Sequence, residues 1–212
     1  MAALALSTEA RFWDRFAARY ARKPVADEAA YRHKLEVTRR YLKPGMQVLE
    51  FGCGTGSTAL AHAPFVGQIT ATDLSAKMIE IAVEKARKAN TANVEFRQMA
   101  FADFDAPDGS FDAVLGMSIL HLLADWEAAI EKAYRLLKPG GVFVSSTACI
   151  ADMNPLLGLV LPVGRALRLL PHVERFRRPA LEDALTRAGF MLSENWQPGK
   201  GKAVFIVATK PA

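Results

Sequence analysis

The residues with the clearest chemical meaning form a glycine-rich segment between an apolar run and a helical one. Gly52, Gly54 and Gly56 follow the apolar residues 47–51. Glycine permits positive φ angles and close approach of a ligand to the backbone, and the helix that follows begins with free N–H groups. This pattern predicts a loop that binds a nucleotide-like ligand. The glycine spacing alone also allows a dinucleotide loop of the GxGxxG type, with Ser57 at the third glycine position.

Two carboxylates flank this loop and limit the kinds of ligand that it can bind. Glu50 lies two residues before Gly52, and Asp73 ends the next apolar run. A carboxylate at Glu50 repels a pyrophosphate but suits an ammonium or sulfonium group, and Asp73 can accept hydrogen bonds from both hydroxyls of a ribose. Each residue also has a structural alternative, because Glu50 can cap a helix and Asp73 can N-cap the helix that starts near Ser75.

The elements that must position these residues alternate between strands and helices. Short β-rich runs indicate strands over residues 47–51, 68–73, 94–99, 111–117, 142–148, 190–196 and 203–209. Helical patterns cover two helices within residues 8–41, then residues 56–63, 76–90, 126–137 and 179–189. Such alternation predicts a parallel sheet with helices on both faces, closed by a terminal hairpin.

Length and composition indicate one globular domain. The chain has 212 residues, of which 51% are hydrophobic and 23% charged, enough to bury a core. The longest uncharged stretch, residues 51–72, contains four glycines and a proline, which argues against a membrane-spanning helix. The first residues lack the features of a signal peptide. Because Cys53 and Cys149 provide no disulfide framework, we expect a reducing, cytoplasmic environment.

Four segments in chain order resemble the class I S-adenosylmethionine (SAM)-dependent methyltransferase family, namely residues 50–56, 72–75, 109–114 and 136–141. The resemblance covers roughly residues 41–149. It implies a Rossmann-like, doubly wound α/β fold whose seven-stranded sheet is mostly parallel, with the last strand antiparallel between the fifth and sixth. It also implies SAM as cofactor and S-adenosylhomocysteine (SAH) as product.

The resemblance and the pattern together divide the single domain into four parts. We expect an N-terminal helical cap over residues 1–43, a cofactor-binding core over 44–149, a lid over 150–178, and the last helix with the C-terminal hairpin over 179–212.

The resemblance assigns a set of cofactor-binding residues. The resemblance implies that the backbone of the glycine-rich loop lines the methionine part of SAM and that Glu50 lies near its ammonium group. It also implies that Asp73 holds the ribose and that Leu74 packs on adenine. Many relatives follow the third strand with Gly-Asp-Ala, but this chain has Met99-Ala100-Phe101, which leaves adenine to Asp103 or to the backbone of Phe101. The full predicted set is Tyr20, Glu50, Gly52, Cys53, Gly54, Thr55, Asp73, Leu74, Ala100, Phe101 and Met117.

The methyl acceptor is expected beyond the fourth strand. Methyl transfer depends mostly on positioning, and a base is needed only when the acceptor must lose a proton. His121 is the candidate base, and Ser118 and Trp13 are further candidate substrate contacts. Each has a structural alternative: His121 can hydrogen-bond only the surrounding chain, and the aromatic residues of the first helix can be ordinary packing.

The predicted lid combines leucines with arginines. Residues 155–170 contain seven leucines together with Arg165 and Arg168, and residues 151–178 hold five arginines against two acids within a chain of net charge +5. An apolar lid predicts a small, apolar acceptor that is lipid- or quinone-like, or peripheral contact of residues 155–178 with an anionic membrane. Packing on the domain, a dimer face and a polar small metabolite as acceptor are alternatives. The methylated atom is left undecided.

Other functions are disfavoured by what the sequence lacks. The arginines have no interleaved aromatic platform for nucleic acid, and the histidines and cysteines have no metal-ligand spacing. We therefore expect neither a nucleic-acid partner nor a metal. Aminopropyl transfer is disfavoured because the chain has no acidic cluster near His121 that could bind a polyamine. A nicotinamide-dependent oxidoreductase is disfavoured because a carboxylate at Glu50 would repel the pyrophosphate of its cofactor. A non-catalytic SAM- or SAH-binding protein is the remaining alternative.

Overall fold

The computed structural model describes residues 2–153, 164 and 169–212, with the side chains of residues 2–7 left aside. A single seven-stranded sheet has the strand order β3-β2-β1-β4-β5-β7-β6. The strands are β1 (Gln47–Phe51), β2 (Gln68–Asp73), β3 (Val94–Gln98), β4 (Phe111–Met117), β5 (Leu137–Thr147), β6 (Met191–Trp196) and β7 (Val204–Thr209). From β1 the chain adds β2 and β3 on one side, and from β4 it adds β5, β7 and β6 on the other. The change of direction between β1 and β4 is a topological switch point, where sheets of this type bind ligands.

Helices cover the sheet on both faces. They are α1 (Ala2–Arg22), α2 (Glu28–Tyr41), α3 (Ser57–His62), α4 (Ala76–Lys88), α5 (Trp126–Leu136), α6 (Ile150–Met153) and α7 (Arg178–Arg187). Asp27 begins α2 and Ser75 begins α4, and each side chain accepts a hydrogen bond from a backbone N–H in the first turn of its helix. These are the residue types that favour helix N-termini.

Successive residues of the central strands enter two separate hydrophobic cores. In β1, Leu49 and Phe51 belong to one core and Val48 to the other. Phe143 and Val144 divide in the same way in β5. Because both faces are buried, these strands carry apolar residues on both faces instead of on one face only.

The last strand has the predicted orientation. β7 pairs antiparallel with both β5 and β6, whereas β1, β2, β3, β4 and β5 pair in parallel. The doubly wound sheet with an antiparallel strand inserted between the fifth and sixth is therefore confirmed.

Two predicted element boundaries were wrong. β5 begins at Leu137, not at residue 142, because Leu137 already pairs with Phe111 before a register shift at the glycine pair. The N–H of Gly140 then bonds to the carbonyl of Lys210, and the N–H of Lys210 to the carbonyl of Gly141. The first helix begins at Ala2, not near residue 8, consistent with the high helix propensity of its Ala- and Leu-rich start.

Helix α1 is attached to the start of α4. Oδ1 of Asp14 accepts hydrogen bonds from the Ser75 hydroxyl (2.6 Å) and from the backbone N–H of Lys77 (3.0 Å). A carboxylate at a helix N-terminus satisfies free N–H groups and complements the helix dipole. Asp14 thereby holds α1 across the cofactor side of the sheet.

Much of the segment predicted as a lid, residues 154–163 and 165–168, lies outside the described residues. Its described flanks are attached to the domain. Phe176 stacks on Trp126 with ring centroids 4.2 Å apart, and the backbone N–H of His172 lies 3.2 Å from Oε2 of Glu9 in α1. Within the part of the chain that is described, none of the helices is long and apolar enough to cross a membrane.

Candidate functional site

A cavity of about 770 Å³ opens at the carboxyl ends of β1, β2, β4 and β5. This volume is in the range of sites for small molecules and cofactors. We call the part around residues 50–58, Asp73 and Leu74 the cofactor end, and the part around Lys34, residues 117–122 and Ser146 the acceptor end. Its lining includes these predicted site residues: Trp13, Tyr20, Glu50, Gly52, Cys53, Gly54, Thr55, Asp73, Leu74, Met117, Ser118 and His121.

Three glycines shape the loop at the cofactor end, each with a positive φ. A Cβ at Gly52 (φ +64°) would lie 2.4 Å from Cγ1 of Ile119, and one at Gly56 (φ +74°) would lie 2.8 Å from the Phe96 ring. At Gly54 (φ +53°) the nearest atom to a Cβ would be Cε1 of Tyr20, at 3.9 Å. Gly52 and Gly56 are thus required for packing, whereas Gly54 leaves space beside the cavity.

Glu50 is a buried carboxyl with unused hydrogen-bonding capacity. It is 1% exposed and accepts a hydrogen bond from the backbone N–H of Ala59 in α3. Its Oε2 has no hydrogen-bond partner among the described residues. Burial, with a contribution from the Asp73 carboxylate, raises the pKa of Glu50 to about 8. The helix-capping alternative is therefore present, yet one oxygen is left for a ligand that donates hydrogen bonds or carries positive charge.

Asp73 connects the loop to the next helix. Its Oδ2 accepts a hydrogen bond from the Gly54 N–H (2.8 Å) and its Oδ1 one from the Ser75 N–H (2.9 Å). The N-cap of α4 is Ser75 and not Asp73. Since each carboxylate oxygen has a second lone pair, Asp73 retains the capacity to accept bonds from a ligand.

The aromatic residues of α1 divide between the cavity and ordinary packing. Trp13 and Tyr20 line the cavity and meet edge to face, with ring centroids 6.4 Å apart. Tyr20 is 50% exposed. Phe12 and Phe16 pack against each other at 4.6 Å and do not belong to the lining. Ring faces attract cationic groups, so Tyr20 remains the aromatic residue best placed beside the glycine loop.

Of the predicted adenine contacts, Ala100, Phe101 and Asp103 lie outside the cavity lining. Phe101 is buried and stacks on Phe51, with ring centroids 4.0 Å apart and an interplanar angle of 11°. Ala100 is half-buried and Asp103 is exposed. The structure therefore brings Leu74, but not Ala100 or Phe101, to the cofactor end.

Residues after β4 form one wall of the acceptor end. The Ser118 N–H bonds to the Ser146 carbonyl (2.7 Å), and Ser118 has a φ of +60°. His121 follows in a short 3-10 turn (Leu120–Leu122), and its carbonyl accepts a hydrogen bond from the Glu174 N–H. The Nδ1 of His121 is buried and has no partner among the described residues. Burial lowers the pKa of His121 to about 4, so the ring is neutral at pH 7 and able to accept a proton or a hydrogen bond.

Sequence reasoning missed two lysines of the lining. Nζ of Lys34, on α2, donates to the Ser146 hydroxyl at 2.7 Å. Nζ of Lys85, on α4, donates to the hydroxyls of Thr55 (2.8 Å) and Ser57 (3.0 Å). A lysine on a helix is usually solvent-exposed, and all three hydroxyl partners are distant in sequence from their lysines. No local sequence pattern could therefore have predicted these contacts.

No cluster of three or more His, Cys, Asp or Glu side chains arranged to hold a metal ion is found in the described ranges. Cys53 lies in the lining but is buried, and burial raises the pKa of its thiol well above the ordinary value.

Comparison with known proteins identifies the family. Residues 48–141 match the family described as "Methyltransferase domain". A ubiquinone biosynthesis O-methyltransferase from Xanthomonas axonopodis pv. citri is 34% identical over 170 residues, which cover 76% of this chain and 70% of that protein. The chain belongs to the class I SAM-dependent methyltransferase family. The predicted family membership is thus confirmed.

Further comparisons agree with this class I methyltransferase fold. The uncharacterized methyltransferase YcgJ of Bacillus subtilis is 34% identical over 151 residues, covering 70% of this chain but only 56% of YcgJ. The YcgJ crystal structure superposes with a TM-score of 0.71 at 21% identity, covering 85% and 99% of the two chains. A Haemonchus contortus phosphoethanolamine N-methyltransferase 2, solved with SAH, gives a TM-score of 0.70 at 18% identity, covering 86% and 53%. Several curated relatives are thus matched over less than two thirds of their length.

Proposed function

We propose that this methyltransferase transfers a methyl group from SAM to a small acceptor with a largely apolar, quinone- or lipid-like body. The main observation behind the proposal concerns SAM as the methyl donor: a buried carboxyl oxygen of Glu50 at the cofactor end of the cavity has no partner among the described residues. Such an oxygen fits a ligand that carries an ammonium group. The acceptor end adjoins it directly through Gly52 and Ile119.

The cofactor end suits SAM in three respects. Glu50 offers an acceptor for the ammonium, Asp73 offers acceptors for the ribose hydroxyls, and Leu74 supplies an apolar surface in the lining for adenine. Gly54 adds backbone that a ligand can approach closely, since a side chain there would have open space. We also infer that Tyr20 covers the cofactor from α1.

The acceptor proposal is supported by the walls of the cavity and by one relative. Met117, Ile119, Leu122 and Trp13 supply apolar surface. The Xanthomonas axonopodis relative is named for ubiquinone biosynthesis and for O-methylation. Both features favour a quinone-like acceptor. Contact of residues 155–178 with a membrane remains a prediction, since most of them lie outside the described residues.

When bound, SAM supplies an electrophilic methyl group on a sulfonium, and its loss leaves SAH. The acceptor atom forms a bond to that carbon while the carbon–sulfur bond breaks and its electron pair remains on sulfur. The residues of this chain contribute mainly by positioning the two molecules. We assign to His121 the proton that an O–H or N–H acceptor loses; its place in the cavity lining and its neutral ring at pH 7 support this role.

Transfer of radiolabelled methyl from SAM tests the proposal. We would supply short-chain phenolic quinone precursors, a monoacyl lipid and a polar metabolite such as glycine, with the Asp73→Ala variant as control. Label in a phenolic or lipid product, lost in the variant, is the expected result. Transfer only to the polar metabolite would overturn the acceptor proposal. SAM binding without transfer to any acceptor would favour a non-catalytic SAM-binding protein.

A further inference from the structure

Lys34 is a partly buried cation whose described partners do not balance its charge. It lies at the middle of α2 and in the cavity lining. Its Nζ donates one hydrogen bond, to the neutral hydroxyl of Ser146 at 2.7 Å. Within the described ranges no carboxylate lies within ion-pair distance of this nitrogen. An ammonium has three N–H donors, so two remain for a ligand.

Ser146 extends this polar site. Its hydroxyl accepts from Lys34, which leaves its own O–H to donate elsewhere. The residue itself is 2% exposed, near the end of β5, and its backbone carbonyl is fixed by the Ser118 N–H. Lys34 and Ser146 therefore present a fixed pair of hydrogen-bond donors at the acceptor end.

The surroundings of the pair distinguish it from the cofactor end. Asp73 ends β2 and Ser146 nearly ends β5, and β1 and β4 lie between these strands. Three strand spacings of about 4.8 Å separate them by roughly 14 Å. The only carboxylate that acts on the charge of Lys34 among the described residues is Asp27, while burial lowers the pKa of Lys34. The two acids of the cofactor end, Glu50 and Asp73, do not compensate this cation.

Resting on the proposed function, we infer that the acceptor carries an anionic oxygen group, a carboxylate or an ionised phenol, which binds Lys34 and Ser146. A partly buried ammonium with one neutral partner loses hydration that this partner does not replace, and an anionic oxygen compensates that cost through charge-assisted hydrogen bonds. Met117 pairs in register with Ser146, so apolar surface adjoins the charged pair. The acceptor class is thus an apolar or aromatic molecule with one acidic oxygen, which refines the purely apolar acceptor expected from the sequence.

Matched probes test this inference on the full chain saturated with SAH. Calorimetry would compare benzoate with benzamide, and 4-nitrophenolate at pH 8 with 4-nitroanisole, since each pair differs mainly in charge. The first pair reports on a carboxylate and the second on an ionised phenol. We expect the charged member of at least one pair to bind about tenfold more tightly or better than its neutral partner.

The variants Lys34→Met and Ser146→Ala then assign the effect. Lys34→Met should reduce the charge preference to about twofold or less, and Ser146→Ala should reduce it in part, while SAH affinity stays within about twofold in both. Lys202→Met is the matched control, because Lys202 is an exposed lysine of the same lining, and it should keep the preference.

The outcomes separate the inference from the proposed function. SAH binding without a charge preference in the wild type, or with a preference that survives Lys34→Met, overturns the inference alone. Failure of the wild type to bind SAH overturns the proposed function, and with it the inference.

Discussion

The two ends of the cavity differ in how the chain builds them. The cofactor end is made largely by one continuous segment, residues 50–58, together with the residues that end β2. The acceptor end combines Lys34, His121 and Ser146, which come from a helix, a 3-10 turn and a strand and are distant in sequence. The first end depends on backbone conformation and the second on side chains that meet only after folding. The cofactor end is therefore expected to be sensitive to changes at glycine as well as to loss of its two carboxyl groups, whereas the acceptor end is expected to be sensitive mainly to side-chain changes.

Gly52→Ala gives the largest expected effect. The added Cβ would lie 2.4 Å from Ile119 at a φ of +64°, so overpacking and a strained backbone should together cost about 3 kcal/mol or more. We expect a decrease in Tm of roughly 6–12 °C and loss of SAM binding, measured by thermal unfolding and calorimetry. Gly45→Ala is the control, because Gly45 has a φ of +87° with nothing within 4 Å of the added atom. Equal destabilisation by the two substitutions would contradict the packing argument.

Asp73→Ala tests the carboxylate of the cofactor end. Hydrogen bonds to a charged group contribute about 1.5–3 kcal/mol, so SAM affinity should fall about 10- to 150-fold in a calorimetric titration. Asp112→Ala is the control, because Asp112 also accepts hydrogen bonds, from the Gln47 N–H and from Nζ of Lys138, but lies outside the cavity lining. It should leave SAM affinity nearly unchanged. An unaltered affinity in Asp73→Ala would refute the ribose assignment.

His121→Ala tests the acceptor end without disturbing the cofactor end. Turnover should fall about 100-fold, the low end for proton transfer by a side chain, because burial lowers the pKa of His121 to about 4 and makes it a weak base. SAM affinity should not change. His33→Ala is a suitable comparison, since the His33 ring packs at a tilt against Trp196, outside this cavity. Normal turnover with altered SAM affinity would assign His121 to the cofactor instead.

Glu50 makes the cofactor end sensitive to pH. Its pKa of about 8 means that the free protein holds a proton on Glu50 at pH 7, and an ammonium ligand favours its release. SAM affinity should therefore weaken about tenfold from pH 7 to pH 6, with proton uptake by buffer visible in calorimetry. Glu50→Gln should remove this dependence.

The same shift in pKa predicts the pH dependence of stability. The folded protein keeps the proton on Glu50 that the unfolded chain loses above about pH 4.5. The contribution of Glu50 to the free energy of unfolding, measured without ligand as the difference between wild type and Glu50→Gln, should therefore decrease as pH rises from 4.5 to 8. A difference between the two proteins that does not change with pH in this range would show that Glu50 is ionised when no ligand is bound.

The fold, and the place of the glycine-rich loop beside a cavity, could be predicted from the sequence because both depend on local signals. Apolar runs, glycines and the N-terminal residues of helices lie next to the elements that they define, and the strand order follows the family. Sequence reasoning missed the start of β5 at Leu137, since the pairing across Gly140 and Gly141 depends on Lys210. It missed Lys34 because a contact over 112 residues leaves no periodic trace. The stacking of Phe101 on Phe51 likewise depends on tertiary packing.

The most direct test of the account is a calorimetric titration of the wild-type protein with SAM and SAH, with NAD as control. We predict binding of SAM and SAH with micromolar affinity, about −8 kcal/mol, and no binding of NAD, because the cofactor end offers the buried side chain of Glu50 and the carboxylate of Asp73, neither of which compensates the charge of a pyrophosphate. Binding of NAD with no binding of SAM or SAH would contradict the account.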